Sequence, residues 1–134
     1  MTHEQTVTTS KQLAALRQIN AAIQHFQDGE FECAITLAAA AEGIIPRSDL
    51  SLWSQLQPHR GDVDLNAFVN WLKHEDRSPE ELEIDAFEVA MTIIRGVTAF
   101  IAHYRLSSAE FEGFLKWAAD EGYVPHKRPA LPLN

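Results

Sequence analysis

Two apolar stripes of helical spacing are separated by little more than Asp28-Gly29-Glu30, and that short break constrains the fold more than any other feature of the chain. Leu13, Leu16, Ile19, Ile23 and Phe26 recur at three- and four-residue steps behind Ser10, a good N-cap residue. Gly29 suits the left-handed position that closes a helix. Phe31, Ala34, Ile35, Ala38 and Ala41 then repeat the spacing up to Gly43. A link this short forces the two helices to lie side by side and antiparallel. The run Ala38-Ala39-Ala40-Ala41 gives the second helix a small face that another backbone can approach closely. Cys33, beside the apolar positions, reads as a buried structural thiol.

Beyond this hairpin, Ile44 to Asp49 is a breaker segment, and Leu50, Trp53 and Leu56 suggest a short third helix that ends at Gln57-Pro58-His59-Arg60-Gly61. Asp62 or Asp64 can cap a fourth helix, with Leu65, Phe68, Val69 and Leu72 as its inward side. Ser78-Pro79-Glu80-Glu81 reads as an N-cap, a proline at the first helical position and the glutamate of a capping box. The helix it opens, roughly 80–105, carries Ile84, Phe87, Met91, Ile94, Val97, Ile101 and Tyr104 on one face. Gly96 within it costs about 1 kcal/mol against alanine, which points to a close helix–helix approach or a local bend. Ser107 with Glu110 repeats the capping pattern before Phe111, Phe114, Leu115 and Ala118, and Gly122 closes the last helix. No alternating strand pattern is present. The expectation is an all-α helical bundle of five to six helices: a flexible N-terminus at 1–8, one helical domain at 9–124 and an extended, Pro-rich tail at 125–134.

At 134 residues the chain suits one domain. Its net charge of −8 opposes tight, nonspecific nucleic-acid binding, which depends on Lys and Arg displacing counterions, and leaves room only for transient handling of an RNA end. The apolar run from Val89 to Ala102 is broken by Arg95, Gly96 and two threonines, short of the roughly 18 residues of a membrane span. No signal peptide is expected from the polar Met1-Thr2-His3-Glu4-Gln5 start, and a single cysteine fits a reducing compartment. These features point to the cytoplasm, with no membrane partner.

Polar chemistry concentrates in Asn70-Trp71-Leu72-Lys73-His74-Glu75-Asp76-Arg77. Asn70 and His74 stack if the helix runs through both, an amide beside an imidazole that can act as acid or base. The competing reading is a surface histidine stabilised by the helix C-terminus. His74, Glu75 and Asp76 point about 100° apart on a helix and cannot converge on one ion, and no zinc or calcium spacing exists, so no metal is expected. There is neither a nucleophile elbow nor a glycine-rich phosphate loop, and no cofactor is implied. Glu42 is either a solvated carboxylate at a helix end or one that faces the His74 region. Trp53, Trp71 and Trp117 sit at helical positions and read as core or interface anchors.

Two segments resemble a known family. Gln24 to Gly43, with its Ala34-Ile35-Thr36-Leu37-Ala38-Ala39-Ala40-Ala41-Glu42 helix, is similar to the helix pair of HEPN-like bacterial proteins. Asn70-Trp71-Leu72-Lys73-His74-Glu75-Asp76-Arg77-Ser78-Pro79 resembles the Asn-Phe-Phe-Lys-His-Ala-Asp-Arg-Asp-Pro signature of a group of uncharacterised proteobacterial proteins. The resemblance implies a helical bundle, frequent homodimerisation and, in active members, metal-independent RNA cleavage. Active members carry an Arg, usually followed directly by Asn, Asp or His, with four to six residues between that Arg and a His. Asn70 and His74 fall on the second and last positions of that pattern, but Val69 occupies the Arg position, and valine cannot hold a phosphate.

The reading that follows is a homodimeric HEPN-like bundle that has lost the ribonuclease motif and serves as a binding or regulatory module. Lys73 and Arg77 favour a small anionic ligand or a partner's carboxylate, with Asn70, Trp71, His74, Asp76 and Glu42 around it. One alternative is a ribonuclease or nucleotide-acting enzyme, with His74 as acid–base, Asn70 orienting it and Arg77 as phosphate contact. Another is a scaffold or antitoxin-like partner whose tail docks on a second chain.

Overall fold

The structure, a computed structural model, describes residues 5–46, 67–74 and 79–126. Its five described helices are α1 (Lys11–Gln27), α2 (Phe31–Ile44), α3 (Ala67–Lys73), α4 (Ala86–Tyr104) and α5 (Ala109–Asp120), and no β-strand occurs among the described residues. The all-α expectation holds. The expected third helix around Trp53, the Asp62 or Asp64 cap and the tail from Lys127 onward lie outside the described residues.

Local chemistry sets the ends of α1. The Ser10 hydroxyl accepts from the Leu13 N–H at 3.0 Å, so one of the unpaired donors of the first turn is satisfied. At the other end Gly29 takes φ +79°, and the Glu30 and Gly29 N–H groups donate to the His25 and Phe26 carbonyls at 2.8 and 3.1 Å. This is a Schellman closure, and only a residue without Cβ enters that left-handed region at no cost. The hairpin follows as expected. Ala15, Ile19, Ala22 and Ile23 of α1 and Ala34, Ile35, Ala38 and Ala41 of α2 are buried.

Helix α4 is the axis of the core. It packs against α1, α2 and α5. Phe87, Val89, Ala90, Met91, Ile93 and Ile94 are all buried, more than one stripe about 100° wide can hold. The sequence pattern shows one apolar face; the structure buries nearly the whole circumference because neighbours lie on several sides. Buried Thr92 and Thr98 satisfy their hydroxyls by donating to the Glu88 and Arg95 carbonyls at 2.9 and 3.2 Å. An 18-residue window of α4 has mean hydropathy 1.3, long and apolar enough by length and composition to cross a membrane, contrary to the expectation from its broken run. Two-thirds of that window is buried within the protein, as befits a core helix.

Gly96 is where three helices meet. A Cβ there would lie 3.5 Å from the Ala38 carbonyl oxygen of α2 and 3.5 Å from Ile19 Cγ1 of α1. The close approach anticipated from the sequence is therefore present, yet it leaves ordinary contact distance for one methyl group. Gly96→Ala is expected to raise stability by about 0.5–1 kcal/mol, through the lower backbone entropy cost of alanine in a helix. A urea midpoint measured for both proteins checks it; a loss would mean that the three helices pack more tightly than this.

Four sequence expectations fail locally. Residues 79–85 are not helical, and α4 begins at Ala86 behind Asp85, whose carboxylate accepts from the Phe87 N–H at 2.8 Å. The Pro79 carbonyl, which a helix starting there would use for its own ladder, instead accepts the Trp71 indole N–H at 2.8 Å. Helix α5 is capped by Ser108, which accepts from Phe111 N–H at 3.1 Å, while Ser107 one residue earlier donates to the Glu112 carboxylate. Leu72, expected inward, is 39% exposed, while Phe68 and Val69 are buried and Trp71 is half-buried against the core. Cys33 is exposed rather than buried. The helical turn groups it with Glu32, Thr36 and Ala40 on the outward side of α2.

Candidate functional site

The polar stretch of the sequence sits on α3 and just beyond it. Phe68 and Val69 are 4% and 6% exposed and hold this seven-residue helix to the core. Two further contacts fix its orientation. The Phe68 N–H donates to Glu88 Oε1 of α4 at 3.3 Å, and the half-buried Trp71 packs on Phe68 with ring centroids 5.3 Å apart. The Trp71 bond to Pro79 ties α3 to the non-helical segment that leads into α4. Trp71 is therefore an anchor, occupied by structure at both its ring and its N–H.

Above these anchors Asn70 is half-buried, and Lys73 and His74 are exposed. The helix ends at Lys73, and the His74 N–H donates to the Trp71 carbonyl at 3.4 Å, a tightened last turn. His74 thus stands one residue past α3, where the four-residue stacking of Asn70 and His74 depends on a turn that is closing. Asp76 and Arg77 lie outside the described residues.

Glu42 has a partner that neither sequence reading named. Arg95 of α4 grips it bidentately, with Nε to Oε2 at 2.9 Å and Nη2 to Oε1 at 2.8 Å. The side chains are only 15% (Arg95) and 26% (Glu42) exposed, so this carboxylate is committed to clamping α2 onto α4. Sequence reasoning missed Arg95 and Glu88 as organisers of the region. The signal for Arg95 was present: a lone cation inside the apolar run from Val89 to Ala102 needs a carboxylate nearby.

Comparison with protein-family models, with curated proteins and with solved structures finds no match. The chemistry of the site must therefore be judged on its own residues. Among the described residues no group of three or more His, Cys, Asp or Glu side chains is placed to hold a metal ion. Among its described residues the site offers the Lys73 ammonium and the His74 imidazole to solvent, on the aromatic footing of Phe68 and Trp71. Such an arrangement can bind an anion or a carboxylate; a reaction would require a further group to hold the reacting phosphate.

Proposed function

We propose that this chain is a HEPN-like helical module that binds a partner and does not cleave RNA, using the α3 end as its contact. The observation that carries this reading is the burial of Val69, 6% exposed. The residue at the position where active HEPN-like proteins carry their Arg points into the core, so the phosphate-holding group of that chemistry has no counterpart there. Lys73 and His74 project from the end of α3, where a cation also complements the helix dipole. The ligand class is a small anion or the carboxylate of a protein partner. The resemblance to HEPN-like proteins supports a homodimer, and the single cysteine supports a cytoplasmic setting.

The exposure of His74 favours one rival, a metal-independent ribonuclease with His74 as acid–base. Incubating the purified protein with mixed-sequence single-stranded RNA in excess chelator, beside His74→Ala, separates the two. No cleavage by either protein is expected. Cleavage by the wild type that is lost in His74→Ala would overturn the binding reading and require a phosphate contact from another residue or a second subunit.

A further inference from the structure

We draw no further inference here: the strongest candidate, the outward face of α2 along Cys33, Thr36 and Ala40, is a stripe of small residues, and nothing in the structure shows what covers it.

Discussion

Replacing Phe100 by alanine is expected to cost the fold about 3–5 kcal/mol, the range for a large aromatic lost from a well-packed core. Phe100 is 1% exposed on α4. It meets Phe111 of α5 edge-to-face at 5.4 Å and leans on Tyr104 at 4.8 Å. One of the helices that would have to close the void is held in place elsewhere, α4 against α2 by the Glu42–Arg95 clamp. Little collapse is available, so most of the cavity cost should be felt. Against a typical domain stability of about 5–15 kcal/mol, the loss is a large share of the total. Urea denaturation followed by circular dichroism reads it as a fall in midpoint at nearly constant slope. A cost under about 1 kcal/mol would mean that α5 does not pack on α4 through this ring. Phe100→Leu, which keeps most of the apolar volume, should cost clearly less.

Where stability comes from also explains which parts of the fold were legible in the sequence. Chain closures are written in single residues. Ser10, Gly29 and Gly122 each act through one side chain, or through its absence, on backbone groups within five residues. The helix ends they set can therefore be read without knowing the rest of the molecule. Gly122 at φ +80°, with the Tyr123 N–H returning to the Ala118 carbonyl at 2.8 Å, repeats the closure seen at Gly29. The start of α4 was legible only in part, because Ser78-Pro79-Glu80-Glu81 and Asp85 both encode helix beginnings. The choice between them rests on a tertiary bond, the Trp71 indole on the Pro79 carbonyl, and no local pattern contains it. The all-round burial of α4 has the same origin. Periodicity reports one face per helix, whereas the number of neighbours is a property of the assembled bundle.

The α3 stretch was legible as a concentration of polar groups and not as a geometry. Its sequence places an amide, an ammonium and an imidazole within five positions, but burial sorts them differently. Val69 and Phe68 go inward, Trp71 becomes a strut, and Lys73 and His74 are left outside. Glu42 was read as solvated or as facing the His74 region, since a carboxylate at the end of an alanine-rich helix carries no local sign of which cation will reach it. Arg95, fifty-three residues away, is that cation.

Removing either member of this pair is expected to be the second large perturbation, and a double-mutant cycle separates the pair from its surroundings. The bidentate geometry and the low exposure of both side chains place it between a surface ion pair, worth at most about 1 kcal/mol, and a fully buried one, whose breaking costs about 3–5 kcal/mol. Glu42→Ala should therefore destabilise by about 1–3 kcal/mol, because it takes a bidentate carboxylate from a guanidinium that is 15% exposed. Arg95→Met keeps an apolar stem of similar length and removes the charge; it strands a carboxylate that is 26% exposed and can draw on water, so its cost should fall in the lower half of that range. The double variant removes both charges of the pair and should be less destabilised than the sum of the two, by about 1–2 kcal/mol of coupling. Urea midpoints of the four proteins give that number directly. Coupling near zero would mean that solvent screens the pair as it does at an open surface, and that the apolar packing of α4 holds it against the α1–α2 hairpin without the pair.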